Sequence, residues 1–123
     1  MSRILIVEDT RLMRESLVDV LAAAGHEVTT ADNGVQACET VAAGAVFDVI
    51  ITDIIMPEMD GIQAILELQT LQPGARIIAI SGGSARMEKA QGLETAKRLG
   101  AVAVLEKPFE VDALLSAVDA ALG

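Results

Sequence analysis

The chain has 123 residues, a length that fits one compact domain, and 52% of them are hydrophobic, which is enough for a real core. Its formal net charge is −9, so it lacks the positive charge that attracts nucleic-acid phosphates or anionic membranes. The single cysteine, Cys38, excludes an internal disulfide and a cysteine-rich zinc site, and we expect a buried, inert thiol. The apolar stretch after Met1 is too short for a signal peptide or a membrane span, so we expect a cytoplasmic protein.

Short apolar runs alternate with amphipathic stretches five times along the chain, with Gly or Pro between them. The apolar runs predict strands over residues 3–7, 27–31, 47–52, 76–81 and 101–105. The amphipathic stretches predict helices over residues 11–24, 34–43, 61–71, 87–99 and 111–122. This (βα)5 pattern predicts an α/β protein with a doubly wound parallel five-stranded sheet, helices on both faces and the polar second strand at an edge. Because the last helix reaches the end of the chain, we expect a single domain over residues 1–123.

Charged side chains follow three of the predicted strands. Glu8 and Asp9 follow the first strand, Asp53 follows the third, and Lys107 follows the fifth. The carboxyl ends of parallel strands lie on one edge, where open α/β sheets place ligands, so we expect three carboxylates and an ammonium in one pocket. Carboxylates a few Å apart repel by about 1 kcal/mol in water and by more inside a protein. Such a pocket therefore favours a hard divalent cation such as Mg²⁺.

The most specific segment runs from Asp53 to Gly61 and reads Asp-Ile-Ile-Met-Pro-Glu-Met-Asp-Gly. Together with the acid pair after the first strand, Ser81-Gly82 after the fourth and Lys107-Pro108-Phe109 after the fifth, it resembles the receiver domain of two-component response regulators. The resemblance covers the whole chain and is to the stand-alone, chemotaxis-regulator-like type. It implies a flavodoxin-like fold with the strand order 2-1-3-4-5.

The resemblance also implies which residues bind a metal ion. Asp53 would be the phosphoacceptor and would ligate Mg²⁺ directly, together with Asp9 and the backbone carbonyl of Ile55. Glu8 would act mostly through a metal-bound water. Mn²⁺ would be able to replace Mg²⁺ in this site.

Two further residues would bind the phosphoryl group itself, Ser81 by a hydrogen bond and Lys107 as a point charge. A carboxylate that attacks phosphorus becomes an acyl phosphate, and the attack needs positive charge around the phosphoryl oxygens. The resemblance thus implies a signalling switch rather than a turnover enzyme. Its donor would be a phosphohistidine of a histidine kinase or histidine phosphotransfer protein. It would act on an unknown downstream protein, as a monomer or as a weak dimer through its fourth helix, fifth strand and fifth helix.

Two positions depart from the usual pattern of that family. An aromatic residue usually stands three residues before the lysine, and here that position is Val104. Ser81 and Lys107 are 26 positions apart, because 107 − 81 = 26, which is longer than usual. We therefore expect a switch that works by movement of the loop after Ser81 and not by burial of an aromatic ring.

Other interpretations of these residues are weaker. Asp9 could merely cap the first helix and Glu8 could be solvated. The positions of Asp53 and Lys107, each directly after another predicted strand, argue against that. A flavin-binding carrier would have a hydroxyl- and glycine-rich loop after the first strand, and an aspartyl phosphatase would have a second acid at the position of Ile55. A phosphate-shuttling intermediate of a phosphorelay is the alternative function. We expect His26 to be a surface turn residue.

Overall fold

The computed structural model describes residues 2–53, 61–81, 100–106 and 109–123. Within these ranges lie β1 (Arg3–Val7), α1 (Arg11–Ala23), β2 (Glu27–Ala31), α2 (Gly34–Ala42), β3 (Val49–Asp53), α3 (Gly61–Leu71), β4 (Arg76–Ser81), β5 (Ala103–Glu106) and α4 (Val111–Leu122). The helix predicted over residues 87–99 lies outside the described residues. Within the described part of the chain, no helix is both long and apolar enough to span a membrane.

The five strands form one sheet in the order β2-β1-β3-β4-β5, and every neighbouring pair is parallel. This is the flavodoxin-like order that was expected, and β2 is an edge strand as its polar sequence predicted. The central strands end nearly level with one another, since Val7 pairs with Thr52 and Asp53 pairs with Ile80. Residues that follow β1 and β3 therefore meet at the same edge of the sheet.

Alternate residues of each strand supply two hydrophobic cores, one on each face of the sheet. Leu5, Ile50 and Ile77 point to the core that α2 and α3 cover. Ile4 and Ile51 belong to the other core, which α1 and α4 cover. A sheet that is buried on both faces requires continuous apolar strands, which is the pattern that β1, β3 and β4 carry.

Two strands, β3 and β5, differ from their predicted bounds at both ends, and β3 ends at Asp53 rather than at residue 52. β3 begins at Val49 rather than at residue 47, because the backbone N–H of Phe47 donates to Oε1 of Gln72 at 2.6 Å. The Gln72 side chain thus accepts the backbone N–H that a strand beginning at Phe47 would donate to a neighbouring strand. β5 begins at Ala103 rather than at residue 101 and continues to Glu106.

Glycines end the first two helices, as the sequence predicted. Gly25 follows α1 with φ of 94°, and Gly44 follows α2 with φ of 109°, a backbone region that only glycine enters without strain. At its other end, α2 is capped by Asn33, whose side chain accepts a hydrogen bond from the backbone N–H of Gln36 at 2.9 Å. These local devices set where the chain turns back to the sheet.

Two residues singled out in the sequence lie away from the acidic edge. Cys38 is buried, as predicted, and its pKa is raised to about 11, first by burial and then by a hydrogen bond and charge repulsion from Glu67. It is therefore a neutral thiol at neutral pH, the less reactive form. His26 follows Gly25 as expected, but it is half-buried rather than fully on the surface. Its Nδ1 is buried and has no hydrogen-bond partner among the described residues.

Candidate functional site

Three carboxylates meet at the carboxyl edge of the sheet. Glu8 and Asp9 follow β1, and Asp53 is the last residue of the neighbouring strand β3. One carboxylate oxygen of each lies within 4.8 Å of the other two. The strand-end argument predicted this cluster, and the parallel pairing of β1 with β3 produces it.

Glu8 is part of the interior and not a solvated side chain, since it is only 1% exposed. Its Oε1 accepts a hydrogen bond from the backbone N–H of Thr10 at 3.1 Å, and its own N–H donates to the carbonyl of Ala31 at 3.1 Å. Burying a carboxylate is costly unless it is paired or hydrogen-bonded, so this environment argues for a specific role.

Asp9 is exposed, and it does not cap the first helix. The N-cap position of α1 is occupied by Thr10, whose side chain makes no capping hydrogen bond. The interpretation of Asp9 as a simple helix cap is therefore wrong. Asp9 is instead the solvent-facing member of the acidic cluster.

Asp53 is held in a rigid position at the end of a central strand. It is 4% exposed, and the preceding residue, Thr52, is fully buried. The hydroxyl of Thr52 donates to the backbone carbonyl of Asp53 at 3.1 Å. A side chain on such a strand is placed more accurately than one on a loop.

The chemistry of this donor set fits a hard divalent cation. Mg²⁺ binds carboxylate oxygens and keeps several of its waters, so a site with two or three acids and an open side suits it. Without a cation, each pair of charges about 4 Å apart repels by about 1 kcal/mol in water and about 4 kcal/mol at an effective dielectric of 20. Binding a cation would offset that repulsion.

The other predicted site residues are placed only in part. Ser81 is the last residue of β4, on the strand next to that of Asp53, and its backbone pairs with Glu106. Lys107 comes directly after β5 in the sequence, but Lys107 and Ile55 lie outside the described residues, so their predicted roles stay predictions.

Val104, which stands where the receiver family usually carries an aromatic residue, is half-buried in β5. It pairs with Ala79 and packs against the core that α2 and α3 cover. Its side chain is thus already used for packing on one face of the sheet.

Sequence reasoning missed one residue beside the cluster. Arg14 on α1 donates through an Nη1 hydrogen to the backbone carbonyl of Glu8 at 2.9 Å, and the same nitrogen lies 3.2 Å from Oδ1 of Asp32. The spacing of Arg14 from the acid pair was visible in the sequence. Its partner Asp32 follows β2, so this contact appears only once β1 and β2 are paired.

Comparison with known proteins identifies the family. The family model of the response regulator receiver domain matches residues 4–119. The chain belongs to the response regulator receiver domain family. These domains are phosphorylation-dependent signalling switches of two-component systems, which use Mg²⁺ and interact with histidine kinases or phosphotransfer proteins and with downstream targets.

Curated relatives cover the receiver domain almost end to end. A response regulator receiver protein of Anaeromyxobacter is 39% identical over 115 residues, which are 94% of this chain but 46% of that protein. The chemotaxis protein CheY of Bacillus subtilis is 39% identical over 121 residues, which are 98% of this chain and 97% of that protein. The chain thus spans less than half of the first relative and nearly all of the second.

A solved structure agrees with the fold. The response regulator TrrA of Thermotoga maritima, in complex with Mg²⁺ and BeF, superposes with a TM-score of 0.83 at 30% identity. The match covers 99% of this chain and all of that one. A receiver of the same fold therefore binds the cation that the acidic cluster fits.

The cluster geometry predicts how charge removal changes stability. Asp53→Asn should raise the free energy of unfolding of the metal-free protein by about 1 kcal/mol, because it removes one of three mutually repelling carboxylates. Added Mg²⁺ should then stabilise the wild-type protein more than the variant. Urea denaturation with and without Mg²⁺ measures both effects.

Asp19→Asn is the matched control, because it removes the same charge from the exposed surface of α1. Its stability should change by less than about 0.5 kcal/mol. A loss of stability in Asp53→Asn, or equal Mg²⁺ effects in both variants, would contradict the cluster as a cation site.

Proposed function

We propose that this chain is a signalling switch in which Asp53 accepts a phosphoryl group from a phosphohistidine of a histidine kinase or phosphotransfer protein. The observation that supports this most directly is the meeting of Glu8, Asp9 and Asp53 within 4.8 Å, with Asp53 at the end of a central strand. Membership of the receiver family supports the same assignment.

The proposed transfer is a simple displacement. A carboxylate oxygen of Asp53 attacks phosphorus, the phosphorus–nitrogen bond of the donor breaks, and its electron pair stays on the imidazole. The product is an acyl phosphate, which water hydrolyses slowly, so the protein turns over its own phosphoryl group but is not a catalyst for other substrates. Bound Mg²⁺ supplies positive charge at the phosphoryl oxygens. Mn²⁺, also a hard cation that suits carboxylate ligands, should replace it.

The protein's own residues have distinct parts in this proposal. Asp9 and Asp53 would ligate the cation directly with the backbone carbonyl of Ile55, and Glu8 would act through a cation-bound water. Ser81 and Lys107 would bind two phosphoryl oxygens, the serine by a hydrogen bond and the lysine by its charge. Because few protein groups would ligate the ion, we expect Mg²⁺ to bind weakly to the free protein.

The phosphoacceptor assignment predicts a single labelled residue. Incubation with Mg²⁺ and a small acyl phosphate should add one phosphoryl group to the wild-type protein, and Asp53→Asn should abolish the addition. Intact-mass spectrometry at early times measures it, because the acyl phosphate is lost on long incubation. Asp48→Asn is the control, since Asp48 directly precedes β3 and lies outside the cluster. Full labelling of Asp53→Asn would contradict the assignment.

We also propose that the donor docks in an apolar groove beside this site. The groove has a volume of 470 Å³ and lies between α1 and α4, and its lining includes Thr10, Leu12, Phe109 and Val111. Leu12 is 78% exposed and Val111 is 52% exposed. Thr10 follows Asp9, and Phe109 comes two residues after Lys107, so the groove opens beside the carboxylate edge. A helix that carries a phosphohistidine to Asp53 would bring its apolar neighbours to this surface.

If the groove binds the donor protein, a substitution in it should slow transfer from a protein donor but not from a small molecule. Leu12→Ser should slow phosphotransfer from a histidine kinase about tenfold, because an apolar contact worth about 1.4 kcal/mol is lost from the docked complex. Labelling by a small acyl phosphate should be unchanged. Single-turnover transfer rates with the two donors measure the contrast.

Leu71→Ser is the matched control, since Leu71 is 45% exposed at the end of α3, which packs on the opposite face of the sheet. It should transfer at the wild-type rate with both donors. Equal slowing of both donors by Leu12→Ser would mean that the substitution disturbs the site and not docking.

We propose that the switch operates through the segment that follows Ser81. Val104 is half-buried and packed against the core, and it has no ring to move between exposed and buried positions. Gly82 and Gly83 follow Ser81 in the sequence, and glycine allows large backbone changes at little steric cost. A bond from Ser81 to the phosphoryl group would then favour a different conformation of this segment.

This mechanism predicts where the protein changes. Amide chemical shifts of the free protein and of the beryllofluoride-bound form should differ most over residues 81–92 and less near Val104. Ser81→Ala should reduce the shifts over 82–92 while those beside Asp53 persist. If the wild-type changes are confined to the acidic cluster, the mechanism is wrong.

The chain spans nearly all of CheY from Bacillus subtilis but less than half of the Anaeromyxobacter relative. We propose that residues 1–123 act as one receiver domain whose output passes to another protein. We also propose that the chain is a monomer or a weak dimer, and that the dimer would form through the helix predicted over residues 87–99, β5 and α4. A cytoplasmic location stays a prediction.

A further inference from the structure

Arg14 makes two contacts that connect the acidic cluster to the end of the edge strand β2. Its Nη1 donates to the backbone carbonyl of Glu8 at 2.9 Å and lies 3.2 Å from Oδ1 of Asp32. The Arg14 side chain is 18% exposed, whereas Arg11 on the same helix is 80% exposed and pairs with Glu15 at 3.0 Å. Arg14 is therefore held in place, and Arg11 lies on the surface.

The carbonyl of Glu8 belongs to the peptide group that joins Glu8 to Asp9. A hydrogen bond to this oxygen fixes the orientation of the peptide plane from which both acidic side chains extend. The side chain of Glu8 is held as well, because its Oε1 accepts a hydrogen bond from the backbone N–H of Thr10. The turn between β1 and α1 is thus held from both sides.

Asp32 directs the guanidinium toward that carbonyl. It follows β2, which pairs with β1 in parallel up to Val7 and Ala31, so Asp32 comes alongside the turn that carries the acids. An ion pair of this kind adds little stability when it is exposed, but it restricts the position of a long side chain. The Asp32 side chain is 56% exposed, so we infer that its ion pair orients the Arg14 side chain and adds little to the stability of the fold.

We propose that Arg14 is a positioning residue for the cation site, which acts by fixing the peptide between Glu8 and Asp9 and is itself oriented by Asp32. This inference rests on the proposed function, because it assumes that the acidic cluster binds Mg²⁺. Partners that orient metal ligands in this way typically change metal affinity 10- to 100-fold when they are removed.

The sign of the effect distinguishes positioning from simple charge. Arg14 is a cation beside three carboxylates, so charge alone predicts that its removal strengthens Mg²⁺ binding. Loss of a positioning contact predicts the opposite, a weaker site. The two explanations therefore differ in direction and not only in magnitude.

Arg14→Met tests this on the full chain, since methionine covers similar apolar surface but cannot donate a hydrogen bond. We expect Mg²⁺ affinity, measured by titration of the amide shifts of Asp9 and Asp53, to fall about tenfold. The Asp9 amide shift should also change in the metal-free protein, which reports the turn directly. Arg14→Lys keeps a charged donor and should recover most of the affinity.

Arg11→Met is the matched control, because it removes the same charge from the same helix. It should leave the affinity unchanged or slightly higher. The double variant Arg14→Met/Asp32→Asn should bind no more weakly than Arg14→Met alone, because Asp32 acts through Arg14. Circular dichroism shows whether each variant is folded, and Arg14→Gln replaces Arg14→Met if that variant is not.

Unchanged or tighter Mg²⁺ binding in Arg14→Met would overturn the positioning role, as would equal effects of Arg14→Met and Arg11→Met. If Arg14→Met is unfolded, Arg14→Gln decides, because it also removes the charge: weaker Mg²⁺ binding in a folded Arg14→Gln would support the role, and unchanged or tighter binding would overturn it. Failure of the proposed function looks different, because the wild-type protein itself would then show no Mg²⁺-dependent shift at Asp9 or Asp53.

Discussion

The parallel pairing of β1 with β3 is the constraint on which the site depends. Leu5 lies opposite Ile50 and Val7 opposite Thr52, which places the residues after β1 beside Asp53. A slip of one residue would move the side chains of the slipped strand from one core to the other and would shift its acids by one residue along the strand direction. The two hydrophobic cores thus hold the register, and the register holds the carboxylates together.

The strand register brings together three carboxylates that repel one another. These three carboxylates lie within 4.8 Å of one another, and two of them are buried. The cluster therefore destabilises the folded state, which burial of the apolar sheet stabilises. A ligand that changes this charge balance, whether a cation or a phosphoryl group, has a different affinity for each arrangement of the surrounding loops. That difference is what allows a small chemical change to shift a conformational equilibrium.

The sequence predicted most of the fold because its signals were local. The apolar runs marked all five strands, and Gly25 and Gly44 marked the ends of α1 and α2, since each needs a positive φ. The acid pair and Asp53 were found for a related reason, because their position after apolar runs fixes them to one sheet edge. Local pattern and parallel topology were sufficient for that inference.

What the sequence did not predict depends on contacts between distant residues. The start of β3 was misplaced because a glutamine 25 residues away takes the N–H of Phe47. The burial of Glu8 and the contact between Arg14 and Asp32 likewise arise only after β2 has paired with β1. Such side-chain contacts have no periodicity, so no pattern in a single chain reveals them.

Helix α1 connects these features, since its two sides serve different parts of the protein. Met13, Leu17 and Val20 pack toward α4, where Leu12 leaves the apolar groove open to solvent, whereas Arg14 reaches across to β2 and the acidic turn. A partner that presses on the groove therefore contacts the same rigid helix that fixes the peptide between Glu8 and Asp9. Rigid helices transmit displacement along their length, so docking and cation binding should be coupled through α1, and coupling of this kind is reciprocal. Under the proposed function, the binding of a donor protein and the binding of the cation would each favour the other only if docking leaves the contact between Arg14 and Glu8 intact.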